Sequence, residues 1–115
     1  PPAYDLASLL IDPYVMLSLH LQQRLLAAYW AQAQRFLPYS YDAFYRHFSA
    51  LCLCRNLQAL AAYSHLALVK GKKGFLQYIP GALLQLQRLL RNSEGLTRCF
   101  PRLTALLQKS SGTVE

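Results

Sequence analysis

Residues 40–71, which read SYDAFYRHFSALCLCRNLQALAAYSHLALVKG, decide the fold. Ser40 is a typical N-cap residue, because its hydroxyl accepts a hydrogen bond from a backbone N–H of the first helical turn. Gly71 suits the left-handed conformation that commonly ends a helix. Between them, apolar residues go nearly all the way round the helical wheel, as in a buried helix. We therefore predict a helix over residues 41–69, the longest in the chain, enclosed by the other elements.

Two shorter helices are predicted before this central helix. The first covers residues 4–11, with leucines on one side, and Pro13 discourages its continuation. The second covers residues 18–37 and ends before Pro38. It is the clearest amphipathic segment of the chain, with an apolar stripe formed by Leu19, Leu26, Trp30, Ala33 and Leu37.

Two more helices are predicted after the central one. Pro80 suits the first turn of a fourth helix, which carries leucines at positions i, i+3 and i+7. Residues 92–95 are expected to form a turn, residues 101–108 the last helix and residues 110–115 a frayed end. The sequence has no alternating strand pattern. The predicted fold class is all-α, a bundle of about five helices that forms one helical domain over residues 1–115.

Composition excludes several classes of protein. The chain has 115 residues, of which 54% are hydrophobic and 15% charged, and this excludes a disordered segment or a disulfide scaffold. The most apolar stretch, residues 50–69, contains Arg55, so no transmembrane span is expected. Residues 1–5 have no signal-peptide pattern. We therefore expect a cytoplasmic protein with no membrane partner.

The charge balance is strongly basic, with a formal net charge of +7 and no acidic residue between Asp42 and Glu94. Such a balance indicates an anionic partner, or acidic residues on a part of the protein outside this chain. Nucleic acid is the weakest of these partners, because the basic residues do not line one helix face and no helix-turn-helix spacing is present. We expect no nucleic-acid partner.

Residues that bind metals or react covalently are sparse. His20, His47 and His65 match no metal-ligand spacing. Asp5 and Asp12 are seven residues apart, but the sequence supplies no third oxygen ligand beside them. The three cysteines lie among apolar neighbours and are expected to be reduced and buried. We predict no catalytic residue and no metal site in this chain.

Arg55 is the most informative residue, because it lies in the middle of an apolar stripe of the central helix. A buried guanidinium needs a carboxylate or a set of carbonyl acceptors, since an unpaired buried charge is costly. Asp5 is the leading partner within the chain, and a segment outside the chain is another. In the alternative interpretation, the side chain runs along the edge of the bundle and reaches water.

Two islands of sequence resemble a known family. PAYDLASLLIDPYV, residues 2–15, is similar to the stretch that follows the catalytic and metal-binding loops of the aminoglycoside phosphotransferase and choline kinase-like family. RNLQALA at residues 55–61 and KGKKGFL at residues 70–76 resemble the C-terminal helical part of the same family. Within it, the chain looks most like the bacterial anomeric kinases of N-acetylmuramate and N-acetylglucosamine.

The resemblance implies a protein-kinase-like fold, of which this chain is the C-terminal helical subdomain without the nucleotide lobe and the catalytic loop. It implies a sugar or amino sugar as acceptor, with ATP and Mg²⁺ as cofactors of the complete enzyme. The HGDxHxxN-like loop of the family, which holds the base, and the metal-binding aspartate that follows it have no counterpart in this sequence. The chain by itself is therefore expected to be inactive.

The resemblance also suggests functional positions. Tyr14, Arg55, Lys73 and Tyr78 are predicted to bind the substrate, and Asp5 is predicted to support the active site. Without the N-terminal lobe, an apolar face would be uncovered, so a homo-oligomer is expected. Two other functions stay open: a stand-alone helical protein-interaction module and a basic nucleic-acid-binding helical bundle.

Overall fold

The computed structural model describes residues 2–12 and 16–114, with the side chains of residues 3–12 and 16–109. These residues form six α-helices and one 3₁₀ helix without any strand, which confirms the all-α fold class and adds one helix to the predicted bundle. No helix among them combines the length and the hydropathy needed to cross a bilayer. The elements are α1 Pro2–Leu10, α2 Leu19–Ala33, α3 Tyr41–Leu68, the 3₁₀ helix Lys73–Tyr78, α4 Ile79–Arg91, α5 Glu94–Cys99 and α6 Pro101–Val114.

The ends of α3 confirm the caps predicted for the long central helix. The Ser40 hydroxyl accepts a hydrogen bond from the Ala43 N–H at 3.3 Å. At the other end, Gly71 has a φ of +72°, and the Lys72 N–H donates to the Leu66 carbonyl at 2.9 Å. A residue with a Cβ is strained at such a φ, so Gly71 ends the helix at little conformational cost.

The other elements pack on one side of α3 rather than around it. Helices α1, α4 and α5 and the 3₁₀ helix all contact this side. The opposite side stays open, so the expectation of an enclosed helix is wrong for that side. We call the open positions the outer stripe: Ala50, Cys54, Leu57, Ala61 and Leu68, all exposed.

The core consists of two clusters that share α3. The first cluster joins α1, α2 and α3 and contains Ala7, Leu10, Ile11, Leu26, Phe44, Phe48 and Cys52. The second cluster joins α3 to the three C-terminal helices and contains Leu53, Leu86, Leu90, Leu96 and Leu107. Because α3 contributes to both clusters, its apolar residues must cover more of its circumference than an amphipathic helix needs.

Two helix ends differ from the predicted ones by more than two residues. Helix α2 ends at Ala33 rather than at residue 37, and α6 continues through Val114, over residues expected to form a frayed end. The Phe36 N–H donates to the Ala33 carbonyl at 2.9 Å, which turns the chain. Leu37 then packs against the first core cluster. Because Leu37 packs there, α2 ends before residue 37, the position at which Pro38 disfavours the helical conformation.

A short helix, α5, occupies residues that were predicted to form a turn. Glu94 and Gly95 belong to its first turn. Leu96 is buried in the second core cluster, and the Thr97 hydroxyl donates to the Leu90 carbonyl at 2.6 Å. These contacts with α4 stabilise a helix that the local sequence alone does not favour.

The cysteines are free, but only Cys52 is buried among them, whereas Cys54 and Cys99 are exposed. The expectation of three buried thiols is therefore wrong for two of them. Cys52 and Cys54 are two residues apart on α3, which places them on different sides of the helix. Burial raises the pKa of the Cys52 thiol to about 12, so this group stays protonated at neutral pH.

Cysteine labelling tests this arrangement. With N-ethylmaleimide near neutral pH, we expect Cys54 and Cys99 to react in the native chain and Cys52 to react only after denaturation, because the thiolate is the nucleophile. Mass spectrometry counts the adducts. The Cys54→Ser variant is the control and should lose one fast adduct, and three adducts on the native chain would contradict the packing of α3.

Candidate functional site

The structure does not bring the predicted substrate-binding residues together. Arg55 contacts α1, and Lys73 is exposed at the start of the 3₁₀ helix. Tyr78, at the end of that helix, packs on Tyr63 of α3 with ring centroids 5.5 Å apart. Tyr63 follows Arg55 by eight residues, which is about 12 Å along the helix axis and about 80° around it. Tyr14 lies outside the described residues.

Arg55 belongs to a polar seam between α1 and α3. Its Nε–H donates to the Ser8 hydroxyl at 3.1 Å, and that hydroxyl donates to the Tyr4 carbonyl at 3.0 Å. Further along, the Tyr4 hydroxyl donates to Gln58 Oε1 at 2.7 Å. Asp5 is exposed on α1 and forms no ion pair with Arg55. Because Arg55 is only half-buried, its guanidinium reaches water and needs no carboxylate partner.

A double-mutant cycle tests this seam. We expect Arg55→Ala to destabilise the chain by about 1–2 kcal/mol, because it removes a hydrogen bond from a charged donor without stranding a buried carboxylate. The coupling with Ser8→Ala should be about 1 kcal/mol in urea denaturation. Arg46→Ala, at an exposed position of the same helix, is the matched control and should change stability by less than about 0.5 kcal/mol. Zero coupling would contradict the Arg55–Ser8 hydrogen bond.

A cleft of about 500 Å³ lies between α1, α2, α3 and α4. Its volume falls within the range of small-molecule sites. The cleft forms because α2 packs on the first core cluster through its middle and its C-terminal half, at Leu26, Tyr29 and Trp30. The N-terminal half of α2 and the middle of α4 line the space between them. Arg55, Lys73 and Tyr78 do not line this cleft.

Ser49 places a buried hydroxyl without a partner at the cleft. Its side chain is 1% exposed and its Oγ forms no hydrogen bond among the described residues. Elsewhere in the bundle, the hydroxyls of Ser8, Thr97 and Thr104 each donate to the carbonyl four residues back. A buried hydroxyl without a partner costs about 1–3 kcal/mol. A ligand hydroxyl that bonds to Ser49 would remove this cost.

Helix α4 contributes an amide and a guanidinium to the same cleft. Gln85 is 3% exposed, and its Oε1 accepts from the Gln22 Nε2 of α2 at 3.4 Å. Its own Nε2 lies 4.0 Å from the Met16 Sδ, a weak acceptor. Arg88 is half-buried on the next turn, and its guanidinium forms no hydrogen bond or ion pair among the described residues. Of the described residues that line the cleft, none carries a carboxylate, so the cleft is positively charged.

Aromatic rings form the wall of the cleft on the side of α3. Tyr41 and Tyr45 line it with ring centroids 6.0 Å apart. Behind them, Trp30 meets the Tyr41 ring edge-on at 5.4 Å. Partial burial raises the pKa of Tyr41, and the neighbouring Tyr45 and Asp42 raise it further. The Tyr41 phenol therefore stays neutral at physiological pH and remains a hydrogen-bond donor.

The cleft has the features of a ligand-binding site. The cleft presents aromatic rings and a few convergent polar groups, which is typical of small-molecule sites. In residues 2–12 and 16–114, no three side chains of His, Cys, Asp or Glu lie close enough to share a metal ion. The Cys52 thiol at the cleft is kept protonated by burial, so it is a poor nucleophile.

Sequence reasoning missed the residues that define this cleft, although a signal for two of them was present. Gln85 lies between Ala82 and Leu86 on the core-facing side of α4, and Ser49 follows the buried Phe48 on α3. A polar side chain at a core position needs a partner, so each is a candidate binding residue. Arg88 gave no such signal, because a basic residue near the end of a helix is ordinary.

Comparison with known proteins relates this all-helical chain to a protein with a named function. The chain is 29% identical over 110 residues to the N-acetylmuramate/N-acetylglucosamine kinase of Neisseria meningitidis serogroup B (strain ATCC BAA-335 / MC58). The match covers 93% of this chain and 33% of that protein, so the chain spans about a third of the length of this curated relative. No family model matches the chain, and no solved structure matches it either. The chain is thus distantly similar to part of a sugar kinase.

Proposed function

We propose that this chain is the acceptor-binding helical part of an ATP-dependent kinase of sugars or amino sugars that acts in the cytoplasm. The observation that carries the proposal is the similarity to a kinase of N-acetylmuramate and N-acetylglucosamine along 93% of the chain. The cleft between α1 and α4 is consistent with it, because the cleft has the size and the mixed lining of a small-molecule site.

Under this proposal, the chain binds and orients the acceptor while the rest of the enzyme carries the phosphoryl transfer. Phosphoryl transfer needs Mg²⁺, a phosphate cradle and a base that positions the attacking hydroxyl. The described residues offer no set of oxygen ligands for Mg²⁺. The turn at residues 70–74 follows a helix rather than a strand, unlike a P-loop. The proposal therefore assigns ATP and Mg²⁺ to the complete enzyme.

The functional roles that the family resemblance suggests for individual residues stay predictions. Arg55, Lys73 and Tyr78 do not line the cleft, and Tyr14 is outside the described residues. Asp5, exposed on α1, is available to a neighbouring part of the enzyme, in keeping with its proposed role in supporting the active site. In a complete enzyme, Arg55, Lys73 and Tyr78 would contact the acceptor only where it extends beyond the cleft, or would contact the catalytic loop.

A phosphotransfer assay tests the proposed function. We expect the chain alone to form no sugar phosphate from ATP, Mg²⁺ and N-acetylmuramate or N-acetylglucosamine, as followed by ³¹P NMR, because its described residues offer no cluster of metal ligands. The product of the complete reading frame should form the sugar phosphate and should contain an HGD-type loop before Pro1. Turnover by the chain alone that is lost in Asp5→Ala, or a complete product without such a loop, would refute the proposal.

A second candidate function, a helical protein-interaction module, is favoured by the outer stripe of α3. Stripe positions 50, 54, 57 and 61 follow the alternating spacing of four and three that pairs helices in coiled coils, and Leu68 comes seven residues later. Its small side chains, such as Ala50 and Ala61, allow close approach of a helix, and Leu9 of α1 is also 51% exposed. A second copy of this chain is the partner that fits, because a two-fold axis places the same uncharged stripe against itself.

Sedimentation velocity tests this second candidate. We expect a concentration-dependent dimer, because pairing would bury apolar surface that the chain leaves exposed. Leu57→Glu should abolish the dimer, since it places a charge within the stripe. Phe36→Glu is the matched control at an 83% exposed site away from the stripe and should leave the dimer intact. A strictly monomeric chain at high concentration would rule out the homo-oligomer.

A further inference from the structure

The C-terminal end of α3 and the turn after it form a surface that the proposed function does not use. We call this surface the basic tip, and its exposed residues are Leu68, Val69, Lys70, Gly71, Lys72, Lys73 and Leu76. We propose that the basic tip contacts the surface of an anionic lipid bilayer, with its lysines at the lipid phosphates and its aliphatic side chains inserted between the lipids. This contact does not depend on phosphotransferase activity, and it would replace the sequence-based expectation of no membrane partner.

The basic tip lies at one end of the molecule. The 28 residues of α3 span roughly 42 Å at the usual helical rise, and the longest dimension of the bundle is 46 Å. A Cβ atom built at Gly71 or Gly74 would have no described heavy atom within 4 Å beyond its chain neighbours. The turn therefore stands clear of the other helices and can touch a flat surface without any rearrangement of the bundle.

The aliphatic side chains of the basic tip are exposed to an unusual degree. Leu68 is 75% exposed, Val69 68% and Leu76 43%. Leu68 also ends the outer stripe, but Val69 and Leu76 do not belong to it. Lysines after a helix C-terminus are ordinary because they complement the helix dipole, yet this does not explain the aliphatic residues beside them. Binding at a bilayer interface uses both kinds of residue, since it gains from buried apolar area and from attraction to anionic lipids.

The charge of the basic tip is not compensated within the described part of the chain. Lys70, Lys72 and Lys73 are exposed and form no ion pair with any described residue. The sequence has no acidic residue from position 43 to position 93. Anionic lipids give the cytoplasmic face of a membrane a negative surface potential, which attracts clustered lysines. The basic tip and such a surface are therefore complementary in charge.

Hydrogen bonds and aromatic rings hold the turn in place. The Lys72 N–H donates to the Leu66 carbonyl at 2.9 Å, and the Phe75 N–H donates to the Lys72 carbonyl at 3.1 Å. Beneath the turn, Tyr63, Phe75 and Tyr78 pack against one another with ring centroids 5.5 to 6.2 Å apart. Because Tyr63 is buried and the other two rings are half-buried, they anchor the turn and do not form an open platform for nucleic-acid bases. This arrangement favours a bilayer over single-stranded nucleic acid.

Cosedimentation with sucrose-loaded vesicles tests the proposal. One set of vesicles contains phosphatidylcholine alone, and the other also contains phosphatidylglycerol as the anionic lipid. We expect the chain to bind the anionic vesicles at low ionic strength and to stay in solution with the neutral ones. Added salt should weaken the binding, because it screens the attraction between the lysines and the lipids.

Two double variants separate the contributions of charge and apolar surface. Lys72→Gln combined with Lys73→Gln should weaken vesicle binding about 25-fold, since each basic residue at an anionic surface contributes about fivefold. Leu68→Ser combined with Val69→Ser should weaken it about tenfold, because less apolar area would enter the bilayer.

Matched controls lie outside the basic tip. Arg35→Gln combined with Arg46→Gln removes the same net charge at two exposed positions. Phe36→Ser removes a side chain that is 83% exposed on the segment leading into α3. Both controls should change vesicle binding by less than about twofold, because attraction to the membrane falls off within a Debye length of its surface.

Several outcomes overturn the proposal. These are no binding to the anionic vesicles, an equal loss in the arginine control, and unchanged binding of the Leu68→Ser and Val69→Ser double variant when circular dichroism shows that it is folded. A DNA duplex that binds through the same lysines more tightly than the vesicles do would assign the basic tip to nucleic acid instead. Binding by the chain but not by the product of the complete reading frame would show that another part of the enzyme covers the basic tip.

Discussion

The buried hydrogen bond between Asn56 and Ala82 fixes the arrangement on which the rest of the bundle depends. The Asn56 Nδ2 donates to the Ala82 carbonyl at 3.1 Å, and both residues are almost completely buried. Ala82 lies in the first turns of α4, where a small side chain allows the two helices to approach closely. This contact holds the start of α4 against the middle of α3, and the direction of α4 then determines which of its side chains face α2. The contact between Asn56 and Ala82, about one turn before Gln85, therefore determines that Gln85 and Arg88 lie at the cleft.

The two core clusters differ in the helices that they join and in the side chains that they contain. The second cluster packs α4, α5 and α6 on α3 through leucines, and hydrogen bonds such as Asn56–Ala82 and Gln87–Leu107 lie beside it. The first cluster contains the aromatic rings, and several of its residues also line the cleft. Polar groups that would be costly in the leucine cluster are accommodated at this border, because the cleft admits water or a ligand. Ser49 and Gln85 are buried polar residues at this border.

The sequence predicted the features that depend on nearby residues. The caps of α3 at Ser40 and Gly71 need only their own turns, so their positions were predicted correctly. Helix α5 was missed, because its helical state depends on contacts of Leu96 and Thr97 with α4. The Arg55–Ser8 contact and the cleft each join residues that are far apart in the chain. In the cleft, for example, Gln22 and Gln85 are separated by 63 residues. No periodicity within one helix specifies how α2 lies relative to α4.

The limited attachment of α2 has a consequence for how the cleft is reached. This helix is held to the bundle mainly by Leu26, Tyr29 and Trp30, whereas α4 is held along its whole length. Elements with few buried contacts open locally at a free energy below that of global unfolding. Release of α2 would widen the cleft while the leucine cluster stays intact. Entry and exit of a ligand would then be governed by the opening equilibrium of one helix, and the residence time in the cleft by the strength of its aromatic anchor.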